Sequence, residues 1–265
     1  MFSTKVMAEG AGQVHYKFGV FPYLSAVLLD EIYASVTADL SRELNQKVSF
    51  RTSSNFKRFF ENLSKQKYDF ALIQPFWYPP AVDEFNYQPL VRIEEPFTSL
   101  IMVLDDSPIK TIADIKGKVI ATPPAFVPVV HMAKKDLISE GLVPGKDVTL
   151  KAFKTVDSCF QQLLIGTAQA CVSPPFVPPI VEEKMKVKLR VLLKTFAIPN
   201  LSLVVNARVP EKDRIKIKNY FLNLAKTDSG KAFLQKIKAQ GFIQANDQDY
   251  NVVREFLSEI KASKQ

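Results

Sequence analysis

Apolar runs alternate with helical patterns along the first third of the chain. The helical patterns start at Ser25, with apolar residues recurring through 27–44, and at the capping residues 53–55, followed by apolar positions through 56–63. The apolar and β-branched runs that predict strands lie at 16–21, 48–51 and 68–73. This order of strand, helix, strand, helix, strand is typical of a parallel sheet built by right-handed crossovers.

The same plan begins again after residue 117. Strands are predicted at 118–122, 147–152 and 168–172, and helices at 127–139 and from Asp157 to Gly166. A further short strand is predicted at 189–193, and helical patterns follow at 210–225, 229–240 and 248–261. The chain therefore predicts two α/β units of similar design.

One motif occurs in both units. Residues 69–82 are DFALIQPFWYPPAV and residues 169–181 are QACVSPPFVPPIV; with Ala71 aligned on Ala170, three prolines of each copy coincide. Each copy predicts a buried strand that ends in a rigid loop. Because ligands of α/β folds bind at the carboxyl edge of the sheet, we expect these loops to face each other across one cleft.

The two units are predicted to form two lobes. Residues 90–104 are extended and lead into the second unit, and 195–202 provide the return connection. We predict a first lobe of 14–96 and 200–265, an inserted second lobe of 97–199, and a flexible segment of 1–13. Two connections between lobes predict a hinge.

Composition excludes several classes of protein. The 265 residues are 47% hydrophobic and 23% charged, which is typical of a globular chain with room for two lobes. The net charge of +8 comes from dispersed lysines without a nucleic-acid-binding motif, and no glycine-rich phosphate loop occurs. The first 13 residues lack the apolar core of a signal peptide, so we expect either a cytoplasmic protein or one that has lost its signal.

Four stretches together resemble a known family. The sequences FGVFPYLSAVL, YDFALIQP, SPIKTIADIKGKVIAT and TAQACVSPP are similar to those of the periplasmic phosphate/phosphite/phosphonate-binding proteins of bacterial ABC importers. The resemblance implies an α/β fold of the type 2 periplasmic-binding-protein class, with a mainly parallel sheet flanked by helices in each lobe. It also implies a monomeric, non-catalytic periplasmic protein that needs no cofactor, binds a small-molecule ligand and presents it to a membrane permease.

The resemblance places the ligand's anionic group at the start of the helix after DIKGK, within a cluster of Ser and Thr. Here the corresponding stretch, 122–128, offers a hydroxyl only at Thr122, and three of its residues are prolines without an N–H. Where the resemblance implies an acidic residue in the second lobe, this chain has Ser173. We therefore expect an organic or lipid-like ligand with one polar end, rather than a phosphate or phosphonate.

The candidate ligand-binding residues come from the strand ends and from the start of that helix. They are Tyr23, Phe76, Trp77, Tyr78, Thr122, Ala125, Phe126, His131, Ser173 and Phe176. For the aromatic residues the alternative is packing against neighbouring prolines, and for His131 it is an ordinary core or surface position. His15 is the only other histidine, so a histidine metal site is not expected.

Cys159 and Cys171 are the only cysteines. Three states stay open for them: a disulfide bond, two buried free thiols, or a thiol site for a soft oxyanion. No catalytic motif is present, so an enzyme is the least favoured function. The alternative to an importer component is a ligand sensor that acts on a histidine kinase or another receptor.

Overall fold

The computed structural model describes residues 15–262, so the segment 1–13 predicted to be flexible lies outside the described residues. The strands are β1 (His15–Val20), β2 (Lys47–Arg51), β3 (Phe70–Ile73), β4 (Tyr87–Ile93), β5 (Leu100–Leu104), β6 (Val119–Thr122), β7 (Thr149–Ala152), β8 (Ala170–Ser173), β9 (Leu189–Lys194), β10 (Ser202–Asn206) and β11 (Phe242–Gln244). The helices are α1 (Ala26–Leu44), α2 (Phe56–Ser64), α3 (Tyr78–Asp83), α4 (Pro128–Ser139), α5 (Val156–Leu164), α6 (Pro178–Met185), α7 (Glu211–Leu222), α8 (Asp228–Ile237) and α9 (Asn251–Ala262).

These strands form two sheets. The first has the order β11-β4-β10-β3-β1-β2, and the second has the order β7-β6-β8-β5-β9. The predicted two-lobed α/β fold is confirmed. Both sheets are mixed, whereas the prediction was mainly parallel, because β10 returns antiparallel between β3 and β4, and β5 runs antiparallel to β8 and β9.

Two connections join the sheets. Strands from 15–93 and 202–244 build the first sheet, and strands from 100–194 build the second. The connections pair with each other: Phe97 N donates to Ile198 O (2.8 Å) and Ile198 N donates to Phe97 O (2.9 Å). We call the parts around the first and second sheets the first and second lobes; the boundaries 14–96, 97–199 and 200–265 stay a prediction.

The first lobe has an aromatic core beneath its sheet. Phe18 of β1 stacks on Phe70 of β3 at 5.0 Å between ring centroids and meets Tyr33 of α1 edge-on at 5.8 Å. Gly19 makes room for Tyr68, because a Cβ at this position would lie 2.7 Å from the Tyr68 ring. The close packing holds β1 against β3, α1 and Tyr68.

The duplicated motif folds in the same way in each lobe. In the first lobe, β3 is followed by a turn of 3-10 helix at Pro75–Trp77 and then by α3. In the second lobe, β8 is followed by a turn and then by α6, which begins at Pro178. Proline is suited to the first turn of a helix because its missing N–H would have no partner there. In each sheet, a proline-containing segment therefore follows the carboxyl end of the motif strand, β3 in the first lobe and β8 in the second.

Candidate functional site

A cleft with a volume of about 800 Å³ is lined by residues of both lobes. The first lobe contributes the segments after β1, β2 and β3, the second lobe contributes the segments after β6, β7 and β8, and the connections contribute Phe97 and Leu201. The lining residues are 21–26, 53–57, Gln74, Phe97, 123–124, 126–129, 154–157, Pro174, 176–177 and Leu201. The predicted convergence of strand ends on one cleft is present in this fold.

Three helices begin at the cleft with a capping side chain. The cap oxygens accept hydrogen bonds from the third residue of each helix: Ser25 from Leu28 N (3.3 Å), Asn55 from Arg58 N (2.9 Å) and Thr155 from Ser158 N (3.1 Å). Each cap satisfies one of the four N–H groups that a helix start leaves without an intrahelical partner. The starts of α1, α2 and α5 therefore present backbone donors at the outer part of the cleft.

Helix α4 differs from these three helices. It begins at Pro128, its N-cap is Val127, and no side chain caps it. Pro123 and Pro124, which precede it, also line the cleft. Because prolines have no N–H and valine has no capping oxygen, the start of α4 presents a mainly apolar surface. This is the helix start where the family resemblance places an anion.

The inner wall of the cleft is apolar. Phe21, Phe97, Val129, Val177 and Leu201 line it and are all buried. Charged side chains occur only nearer the solvent among the lining residues of the described chain: Lys57 and Lys154 are exposed, and Asp157 is half-buried. Charge is therefore confined to the rim, and the interior favours apolar ligand surface.

Two aromatic pairs connect the lobes across the cleft. Tyr23 of the first lobe meets Phe176 of the second edge-on, with ring centroids 5.5 Å apart. Phe56 of the first lobe meets Phe126 of the second in the same manner at 5.7 Å. Phe126 remains 51% exposed, so the second pair lies at the opening of the cleft. Both contacts pack the first lobe against the second at the cleft.

Several predicted site residues are placed together here. Tyr23, Phe126 and Phe176 line the cleft, and Ala125 lies beside it in a shallow depression with Phe153 and Lys154. The Tyr23 hydroxyl lies 3.2 Å from that of Tyr33. Burial raises the pKa of Tyr23 to about 12, so its hydroxyl is neutral at physiological pH.

The three aromatic residues that follow β3 do not line the cleft, and Trp77 alone of the three packs against its wall. Trp77 stacks on Phe59 and meets Phe21 and Phe56 edge-on, and these last two line the cleft. The other two pack elsewhere: Phe76 lies against Phe256 and near His131 of the second lobe, and Tyr78 stacks on Tyr250 with ring centroids 3.5 Å apart. The tight turn after β3 directs these rings into the core. Ligand contact by the three stays a prediction.

The remaining candidates are also away from the lining. Thr122 is buried at the end of β6, and the Ser173 hydroxyl donates to Pro174 O at 3.0 Å. His131 is half-buried on α4, with its ring 5.9 Å from that of Phe76. Their roles in binding stay predictions.

Other lining residues were not predicted. They include Phe21, the buried Gln74, the two hinge residues Phe97 and Leu201, and the caps Ser25, Asn55 and Thr155. A signal for Gln74 exists in the sequence, because it is a polar residue at the end of the apolar run FALI. Phe97 and Leu201 carry no such signal, since only the pairing of the two connections brings them together.

The two cysteines lie side by side behind the second-lobe wall. Both are buried as free thiols, and Cys159 donates to Thr155 O at 3.3 Å. Burial, together with the neighbouring Cys159 thiol, raises the pKa of Cys171 well above its usual range. Residues 15–262 contain no group of three or more His, Cys, Asp or Glu side chains placed to hold a metal ion. The disulfide and the thiol site stay predictions.

A comparison with known protein families shows to which family the chain belongs. Residues 18–250 match the family described as the periplasmic substrate-binding protein of a phosphonate ABC transporter. The chain belongs to this family. Members are non-catalytic proteins that bind small ligands and deliver them to an ABC permease. None of the helices within residues 15–262 has the length and apolar character needed to cross a bilayer.

Solved structures agree on the fold. PhnD1 from Prochlorococcus marinus, in complex with methylphosphonate, superposes with a TM-score of 0.79 at 18% identity, over 93% of this chain and 98% of PhnD1. A phosphonate-transporter binding protein from Pseudomonas aeruginosa gives 0.78 at 16% identity, over 92% and 85% of the two chains. The aliphatic sulphonate binding protein SsuA from Escherichia coli gives 0.66 at 13% identity, over 94% and 87%. A comparison with curated proteins gave no match.

Proposed function

We propose that this member of the phosphonate-binding family closes on an organic ligand with an apolar body and one polar end. The observation that carries the proposal is the cleft lining, in which buried phenylalanine, valine, leucine and proline form the inner wall. Removing apolar surface from water contributes about 25 cal/mol per Å². A ligand that packs against this wall should therefore bind more tightly as its apolar part becomes longer.

The part of the lining before and at the start of α4 disfavours a small anion as the sole ligand. Pro123, Pro124 and Pro128 line the cleft and have no N–H to donate. Thr122, which supplies the one hydroxyl of this stretch, is buried outside the lining. A phosphonate group at this position would lose hydration without gaining enough donors to replace it.

Closure is proposed to work through the two paired connections. Phe97 and Ile198 pair the two connections by backbone hydrogen bonds. The lobes rotate about this pair of connections while the hydrogen bonds between them are kept. A ligand that contacts Tyr23 on one lobe and Phe176 on the other stabilises the closed form only through its preference for that form. The cross-cleft aromatic pairs supply the surfaces that such a ligand would bridge.

Native mass spectrometry of gently purified protein, followed by extraction into organic solvent, tests the ligand class. We expect a retained compound whose extractable part is largely apolar. Recovery of phosphonate or phosphate as the retained species, without an apolar component, would contradict the proposal.

Truncation of the cleft aromatics should weaken binding in proportion to their burial. With decanol as the probe, Phe176→Ala is expected to reduce affinity about tenfold, and the more exposed Phe126→Ala about threefold, because less apolar contact is lost there. The measurement is a titration followed by intrinsic fluorescence of the single tryptophan.

Ile165→Ala serves as the control for these variants. Ile165 lies after α5, is 67% exposed and does not line the cleft. Its replacement should leave decanol affinity unchanged. Equal affinities for wild type, Phe176→Ala and Ile165→Ala would show that the probe binds outside the cleft.

A further inference from the structure

Gln74 has an exceptional environment in the cleft. It is 3% exposed and lines the cleft, yet neither its Oε1 nor its Nε2 has a hydrogen-bond partner within residues 15–262. Of the buried side-chain groups without a partner in the described chain, Gln74 alone lines the cleft. Burying a primary amide without hydrogen bonds is unfavourable, and a partner in the cleft would remove that penalty.

The duplicated motif provides an internal comparison. Gln74 follows β3, and Ser173 is its counterpart at the end of β8. The Ser173 hydroxyl is used within the protein, because it donates to Pro174 O at 3.0 Å. The two halves of the fold therefore differ: the second-lobe position is satisfied internally, whereas the first-lobe position, at the cleft wall, keeps a buried donor and acceptor without a partner among residues 15–262.

The buried part of the cleft lining, to which Gln74 belongs, carries no charged side chain within residues 15–262. The other buried residues of this lining include Phe21, Phe97, Val129 and Leu201. Lys57 and Lys154, the basic side chains of the lining, are exposed at the rim. A charged ligand group beside Gln74 would lose its hydration without a counter-charge, which is far more unfavourable than burying a neutral group.

From these observations we infer that Gln74 forms hydrogen bonds with the polar end of the ligand. This end is a neutral group with both a donor and an acceptor, such as a hydroxyl or a carboxamide. The amide Nε2 donates to the ligand oxygen, and Oε1 accepts from the ligand O–H or N–H. The apolar body then extends past the inner wall toward Phe176 and Phe126. This inference rests on the proposed function and adds the chemistry and the direction of the polar end.

The test uses four probes with the same apolar chain: decanol, decanamide, decanoate and decylphosphonate. Wild-type protein near neutral pH is expected to bind decanol and decanamide at least tenfold more tightly than the two anions. Gln74→Met keeps the shape and removes the amide, so it should weaken binding of the neutral probes about tenfold and change decanoate affinity by less than about twofold.

Two further variants make the result specific. Gln235→Met, the same kind of substitution at an exposed glutamine of α8 outside the cleft lining, should leave the preference among the four probes unchanged. Gln74→Glu, tested with decylamine as a fifth probe, should favour this amine over decanol, because a carboxylate at this position attracts a cation. Thermal melting of each variant shows whether it is folded.

The outcomes separate the two proposals. If decyl probes bind but the head group and Gln74→Met have no effect, the inference about Gln74 is wrong and the apolar-ligand proposal stands. If anionic probes bind more tightly than neutral ones, the inference is also wrong. If no decyl probe binds to wild-type protein, both are wrong.

Discussion

Trp77→Ala is expected to lower the free energy of unfolding by about 3 to 5 kcal/mol, the range for removing a large aromatic side chain from a packed core. Trp77 is 8% exposed and stacks on Phe59 with ring centroids 5.7 Å apart. It also meets Phe21 and Phe56, both of which line the cleft. Its loss should therefore loosen the cleft wall as well as the core.

Chemical denaturation followed by circular dichroism measures this effect. Trp77→Phe is the matched variant, because it keeps an aromatic ring at the same place and should recover much of the loss. A destabilisation by Trp77→Ala of less than about 1 kcal/mol would mean that the ring does not hold the wall in place.

The second large effect is expected at alkaline pH. Burial is the largest cause of a raised pKa at seven tyrosines: Tyr16, Tyr23, Tyr33, Tyr78, Tyr87, Tyr220 and Tyr250. In the unfolded chain these side chains lose their protons near pH 10, as ordinary tyrosines do. The folded state keeps them protonated, so above about pH 10 it binds more protons than the unfolded state.

We therefore expect these tyrosines to leave the free energy of unfolding unchanged below about pH 10. Above about pH 10 they should lower it progressively as the pH rises. Each group contributes a loss of about 1.4 kcal/mol per pH unit until its folded-state pKa is reached. Since a domain is stable by only about 5 to 15 kcal/mol, several groups acting together should unfold the protein within one to two pH units.

The measurement is tyrosinate absorbance and far-ultraviolet circular dichroism along one pH titration. We expect both signals to change together in a steep transition above about pH 10, whereas chain unfolded in guanidinium should titrate gradually around pH 10. Gradual ionisation near pH 10 with secondary structure retained would be the opposite result, and would show that these tyrosines are accessible in the folded protein.

Local sequence patterns were sufficient for much of the fold. The strand at the start, the capped helices after Ser25 and Asn55, and both copies of the proline motif have strong local signals, and the structure has these elements. The antiparallel strands β4 and β10 were not predicted as sheet members. Their pairing joins residues more than 100 positions apart, such as Leu203 with Val91, and no local pattern encodes such a partner.

The candidate site was predictable in location and less so in detail. The strand ends do meet at one cleft, and Tyr23, Phe126 and Phe176 line it. The direction of a side chain after a strand depends on the turn that follows. Because Pro75–Trp77 forms a 3-10 turn, the rings of 76–78 enter the core, where Tyr78 stacks on Tyr250 from the far end of the chain.

Two ligands with one head group test the central claim most directly. Methylphosphonate and decylphosphonate differ by about nine methylene groups, each worth about 0.8 kcal/mol when fully buried. Burial of only about four of them in the cleft gives more than a hundredfold difference in affinity. By calorimetry, decylphosphonate is predicted to bind at least a hundredfold more tightly than methylphosphonate. Equal affinities, or tighter binding of methylphosphonate, would contradict an apolar ligand cleft.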